Sequence, residues 1–146
     1  MKSIFMLIVC LMASLFSHAA TDEEKALRFR QSVMNVVGYS AGNMGAMVKG
    51  KMDYDQAEFL RHAINLNAML RLAQDAFVEG SNVGDSKAKD IIWTQRGKFD
   101  QKLEDAQLAA QELINTLNNA DKSMVFEQFS DLGKTCKGCH KTYRKR

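Results

Sequence analysis

Proline is absent from this sequence of 146 residues, tryptophan occurs once, and cysteine and histidine occur three times each. Without proline, no residue removes a backbone donor or clashes inside a helix, so long helices are unobstructed. The glycines gather at a few breaks. Of the cysteines, Cys10 lies in an apolar N-terminal stretch, which leaves Cys136 and Cys139 as one closely spaced pair. One such pair is not the framework of a disulfide-stapled scaffold. Charge is nearly balanced, with 20 lysines and arginines against 17 carboxylates and a formal net charge of +3. That excess is too mild to argue for nucleic-acid binding.

The apolar stretch from Ile4 to Phe16 follows Lys2 and precedes Ser17-His18-Ala19-Ala20. A basic start, a short apolar segment and small residues at its end read as a secretory signal peptide over 1–20, cleaved after Ala19 or Ala20. A membrane anchor is the alternative, but the stretch falls short of the roughly 20 residues that span a bilayer. Cys10 leaves with the signal, and bulky Val9 before it makes a poor lipoprotein site. The remainder, 21–146, is one domain's worth of chain, exported and in bacteria periplasmic.

Four amphipathic stretches follow. The first runs from about Asp22 to Val48. Thr21 or Asp22 can cap it, and Glu23 and Glu24 suit its positive end. Leu27, Val33, Met34, Val37, Ala41, Met44 and Val48 recur at three- and four-residue steps, and Lys49-Gly50-Lys51 ends the pattern. The second starts near Asp53 or Asp55 and reaches about Phe77, with Leu66, Leu70 and Ala73 in step. Residues 79–89 read as the longest loop. The third covers about Asp90 to Leu117 along Ile92, Phe99, Leu103, Ala106, Ala110 and Leu113. Asp121 can cap the fourth, whose inner face carries Val125, Phe129, Leu132, Cys136, Cys139 and Tyr143. Each narrow stripe is buried only against the others. The expected fold is therefore all-α, an antiparallel four-helix bundle.

Near the end of the last helix stands Cys136-Lys137-Gly138-Cys139-His140, the C-x-x-C-H pattern of c-type haem attachment. Two thiols three positions apart lie on one helix face, where each can form a thioether to one vinyl group of a porphyrin. The histidine that follows is then placed as proximal iron ligand. A thioredoxin-like pair expects a βαβ context, and nothing here reads as parallel strands. A structural zinc site needs a fourth protein ligand, for which the domain offers only His62 and carboxylates.

The chain resembles the cytochrome c′ family, including its low-spin relatives of the cytochrome c-556 type. The resemblance spans the whole exported domain and is most specific at Cys136-Lys137-Gly138-Cys139-His140-Lys141-Thr142-Tyr143-Arg144. Class I cytochromes c carry the motif near the N-terminus instead. Phe29-Arg30-Gln31-Ser32-Val33-Met34, Met44-Gly45-Ala46-Met47-Val48-Lys49-Gly50, and Ile92-Trp93 followed by Phe99 and Lys102 also resemble the family. The resemblance implies one covalent haem c and a homodimer packed through the first two helices. It also implies that Arg30 and Gln31 lie near a haem propionate. A guanidinium can pair with a carboxylate in bidentate fashion. Arg144, four residues after His140, belongs on the same helix face, beside the proximal ligand or simply in the basic tail Arg144-Lys145-Arg146.

Met34 stands at the family's distal position. A His/Met pair gives a low-spin iron suited to electron exchange, whereas methionine is also a common core filler. A ligating Met34 implies a single-electron carrier rather than an enzyme. An unligated one implies a five-coordinate cytochrome c′ that binds nitric oxide or carbon monoxide. A haem-free thiol or zinc protein is the third reading. Phe99 is the aromatic expected at the porphyrin. Trp93 is expected at the bundle end, beside a propionate or in plain core. His62, in a polar stretch, is expected at the surface. Lys134, Lys137, Lys141 and the tail make the last helix basic, either as a solvated face or as a field that steers an acidic redox partner.

Overall fold

The computed structural model describes residues 20–119 and 121–146. The proposed signal peptide up to residue 19 lies outside them. Four long helices and one single-turn helix follow in the order α1 (Asp22–Val48), α2 (Gln56–Ala73), α3 (Ile91–Thr94), α4 (Arg96–Asn119) and α5 (Lys122–Tyr143). The long helices form the antiparallel four-helix bundle. The packed pairs are α1 with α2, α2 with α4, and α4 with α5. Among the described residues, no helix is long and apolar enough to cross a membrane.

Local chemistry sets the helix starts. Thr21 caps α1 through a reciprocal box: its hydroxyl accepts from Glu24 N at 3.2 Å, and Thr21 N donates to the Glu24 carboxylate at 3.1 Å. Asp55 and Asp121 cap α2 and α5 by accepting from Glu58 N at 3.0 Å and from Ser123 N and Met124 N at 3.0 and 3.1 Å. Such caps satisfy amide donors that have no intrahelical partner. At the end of α1, Gly50 takes φ 66°, a left-handed conformation that glycine adopts without steric cost.

Two boundaries differ from the sequence expectation. The second helix stops at Ala73 rather than Phe77. Side chains from elsewhere take the carbonyls beyond it. Arg30 donates to Ala76 O at 3.2 Å, Arg96 to Gln74 O at 3.2 Å and Phe77 O at 2.8 Å, and Trp93 Nε1 to Phe77 O and Val78 O at 3.3 and 3.1 Å. The chain is thereby pulled off the helix axis into the 74–90 loop. The third helix is interrupted at Gln95, whose ψ of 43° leaves the helical region. The turn Ile91–Thr94 thus stands apart from α4, and Trp93 can reach the loop.

The core falls into two clusters. One centres on Phe59, Leu66, Leu113, Leu117, Val125 and Leu132. The other joins Val33, Phe77, Ile92, Phe99, Leu103 and Tyr143 at the end of the bundle beneath the loop.

Candidate functional site

The pattern Cys136-Lys137-Gly138-Cys139-His140 lies on the last turns of α5. The two cysteines form no disulfide with each other, and both are half-buried. Cys136 packs against the first core cluster and Cys139 against the second. Burial raises both thiols, and for Cys139 the neighbouring Cys136 adds to it, reaching about 11 against a weaker opposing pull from Lys102. Before any bond to haem, burial therefore favours the neutral thiol at both positions. His140 is exposed. Partial desolvation and then the Arg144 cation hold its imidazole below the ordinary range, which favours the neutral form that a metal ligand requires.

Facing solvent beside His140 is an open concavity of about 760 Å³, lined by Lys87, Lys137, Lys141, Arg144, Lys145 and Arg146. Arg144 lies just past α5 in an extended conformation, not on a helical face, and lines the same concavity as His140. Its main chain pairs with Ala88 in an isolated antiparallel bridge. Lys87 enters the concavity through that bridge, and sequence reasoning missed it because the pairing is remote in the chain.

Met34 is half-buried on α1 and packs against the same cluster as Cys139. Phe99 is almost fully buried in that cluster. It meets Phe77 and Tyr143 edge-on, with ring centroids 4.5 and 5.2 Å apart. Arg30, one turn before Met34, is buried. Its terminal nitrogens reach Ala76 O, Ser81 Oγ, Ser81 O and Ser86 Oγ at 3.2, 2.6, 2.8 and 3.1 Å. The guanidinium also stands 5.2 Å over the Phe77 ring. Among the described residues it forms no ion pair with a carboxylate, and burial lowers its pKa. Gln31 turns outward and donates to Asp85 at 2.9 Å.

His62 corrects the expectation of a surface residue. It is 2% exposed. Tyr39 of α1 covers it edge-on at 5.7 Å between ring centroids, and its Nδ1 has no hydrogen-bond partner. Trp93 is half-buried and fastens the 74–90 loop.

Zinc and haem ask different things of these donors. Among the described residues, no three or more histidine, cysteine or acidic side chains cluster so as to hold a metal ion. Structural zinc therefore lacks its protein ligands. Two inward thiols at a three-residue step followed by a neutral imidazole fit covalent haem. Cys136, Cys139 and His140 are the residues that could hold it.

A family model described as "Cytochrome C'" matches residues 25–144. The chain belongs to the cytochrome c′ family. It is 33% identical to a cytochrome c′ of Halomonas halodenitrificans over 84% of this chain and 98% of that one. A structure of cytochrome c prime from Shewanella frigidimarina superposes with a TM-score of 0.82 at 34% identity, covering 88% of this chain and all of that one. A nitric oxide complex of a variant of cytochrome c prime from Alcaligenes xylosoxidans superposes at 0.78 and 30% identity, covering 88% of this chain and 99% of that one. As a cytochrome c′ family member, the protein is a c-type cytochrome that carries one covalent haem c. Members of the family are periplasmic.

Proposed function

We propose that this protein is an exported single-electron carrier, its haem held by thioethers to Cys136 and Cys139 with His140 as proximal and Met34 as distal iron ligand. The observation that carries this reading is the placement of Met34. It faces the second core cluster from α1, while Cys139 faces the same cluster from α5. The haem, when bound, supplies an iron that gains and loses one electron. The chain's own residues do the rest. Neutral His140 offers a nitrogen, and the Met34 thioether offers a soft sulfur that tends to raise the reduction potential. Phe99 and Tyr143 exclude water. Arg30 is a buried cation without a carboxylate of its own, which supports the propionate role implied by the resemblance, since a buried charge is costly unless paired. Gln31 and Arg144 would border the same group. No acid–base pair lies at the motif to suggest bond-breaking chemistry on a substrate.

Optical spectra of both oxidation states test the reading. Six-coordinate, low-spin iron in each state is the expected result. High-spin ferrous iron would instead favour a five-coordinate site for nitric oxide or carbon monoxide. That second reading is supported by the nitric oxide complex of the Alcaligenes relative.

Phe29, Val36 and Tyr39 on α1 and Ile64 and Leu72 on α2 are large apolar residues left exposed. They support a homodimer through these two helices, which sedimentation of a Tyr39→Glu variant would test. Cleavage after Ala19 or Ala20 is checked by the N-terminal sequence of the exported protein.

A further inference from the structure

Seven cations gather at the end of the bundle that carries the haem motif. Lys137 and Lys141 lie on α5, Arg144, Lys145 and Arg146 follow it, and Lys87 and Lys89 come from the loop. The loop and tail are zipped together: Lys89 N donates to Tyr143 O at 3.0 Å and Lys145 N to Lys87 O at 2.7 Å. The Lys89 ammonium also donates to Thr142 O at 3.0 Å, at the negative end of the α5 dipole. Among the described residues none of the seven forms an ion pair. The pairs present involve Lys25, Arg61, Arg96, Lys102 and Lys134. No aspartate or glutamate lies among residues 132–146. Two loop acids stand among the cations and keep their charge: Asp85 accepts from Gln31 at 2.9 Å, and Asp90 accepts from Asn82, whose own oxygen accepts from the Lys145 ammonium at 3.5 Å.

The charge is therefore segregated. Setting aside Lys2, the seven collar cations stand against two loop acids, Asp85 and Asp90, while twelve lysines and arginines remain against fifteen carboxylates. The body of the bundle is net acidic, and the collar around His140 is net basic. Cations in excess repel one another, and the main-chain bridge, with the Lys89 and Lys145 ammonium bonds to Thr142 O and Asn82, holds them together regardless.

We infer that this collar is the docking surface for an acidic redox protein, which it steers onto the haem-bearing end. The inference rests on the electron-carrier reading. One electron passes from the reduced partner to the oxidised cytochrome, and no atom is transferred. A basic concavity with an acidic body behind it orients such an encounter before contact. Steering of this kind raises association rates by about 10- to 1,000-fold and fades steeply with salt, as the screening length falls to roughly 10 Å at 0.1 M.

The test uses the haem-loaded protein and flavodoxin hydroquinone, an acidic one-electron donor, with the small uncharged reagent lumiflavin semiquinone as control. At low salt the flavodoxin rate constant should be about tenfold above its value at high salt. The triple variant Lys87→Glu, Lys145→Glu, Arg146→Glu should abolish that advantage and leave the lumiflavin rate unchanged. These side chains are exposed, the bridge that joins their segments is main-chain, and the one side-chain bond lost is the long 3.5 Å contact from Lys145 to Asn82. An unchanged flavodoxin rate in this variant overturns the inference. So does an equal loss in a control triple at Lys49, Lys51 and Arg71. Failure of the native protein to react even with lumiflavin would sink the electron-carrier reading alone. Docking is then read by calorimetry of the oxidised proteins, where salt-sensitive binding lost in the collar variant upholds it. Binding to phosphatidylglycerol vesicles without binding to flavodoxin would make the collar a membrane site and overturn it.

Discussion

Arg30 and Ser81 stand 51 positions apart in the chain and are joined twice. The guanidinium donates to the Ser81 hydroxyl at 2.6 Å and to its carbonyl at 2.8 Å. With Ala76 O and Ser86 Oγ as further acceptors, one side chain of α1 holds the loop that roofs the second core cluster. A planar guanidinium fits four convergent acceptors as an ammonium cannot.

Arg30→Lys should therefore destabilise the protein by about 2–3 kcal/mol, since hydrogen bonds to charged groups contribute roughly 1.5–3 kcal/mol each and only some can be remade. Ser86→Ala should cost about 1.5–3 kcal/mol, since Ser86 Oγ accepts from the Arg30 guanidinium at 3.1 Å and from Ala88 N at 3.3 Å. Urea unfolding of the haem-loaded variants measures both. A change within about 0.5 kcal/mol for Arg30→Lys, the range of an ordinary surface substitution, would mean that the loop is held by other contacts.

Covalent attachment gives a second prediction. In the native protein the haem colour should survive acid acetone and migrate with the polypeptide on a denaturing gel. Cys136→Ser and Cys139→Ser should each retain a single thioether, and the double variant should release all colour into the solvent. Intact-mass measurement then shows a haem-sized addition on the native chain and none on the double variant. Colour extracted from the native protein would contradict the attachment.

Periodicity made the bundle legible. Leu103, Ala106, Ala110, Leu113 and Leu117 line a buried seam on α4, and Asp55 and Asp121 cap where an acid before an apolar run suggests. The motif was legible because its chemistry is local, five consecutive residues on one helix. What local sequence could not show was decided by remote partners. The second helix ends at Ala73 because Arg30, Trp93 and Arg96 take the carbonyls past it. His62 follows the Glu58–Arg61 pair, which makes its segment look solvated, yet Tyr39 from another helix covers it. Lys87 joins the concavity through a main-chain bridge that no spacing rule signals.

His62 gives a pH prediction. Burial, and then the Arg61 cation, lower its pKa, with Glu58 opposing weakly. Its Nδ1 has no partner, so a second proton on the ring would have no acceptor. The folded state keeps the neutral form, while the unfolded chain takes up a proton near its ordinary pKa of about 6.5. Stability is therefore full above that value and is lost as pH falls through it towards the lower folded pKa. Urea midpoints should drop between pH 7.5 and 5.5, and His62→Leu should flatten the drop. If the slope is identical in native and variant proteins, His62 does not titrate in this way.

Met34 decides between the two haem chemistries. It lies one turn beyond Arg30 on α1, next to buried Val33, and packs against the cluster that Cys139 joins from α5. A thioether at this position either bonds iron or only fills space. If it bonds, the oxidised protein is low-spin with a weak sulfur-to-iron band in the far red. The ferrous form then takes carbon monoxide slowly, because the sulfur must leave first. Met34→Leu nearly conserves volume and should cost less than about 1.5 kcal/mol in folding. The same change removes the only soft donor on that side chain. The variant should become high-spin and five-coordinate and bind carbon monoxide at least tenfold faster, a barrier change of roughly 1.4 kcal/mol. A native protein that is already high-spin, with a gas-binding rate unchanged by Met34→Leu, would make Met34 a pocket wall. The gas-binding reading would then replace the electron carrier.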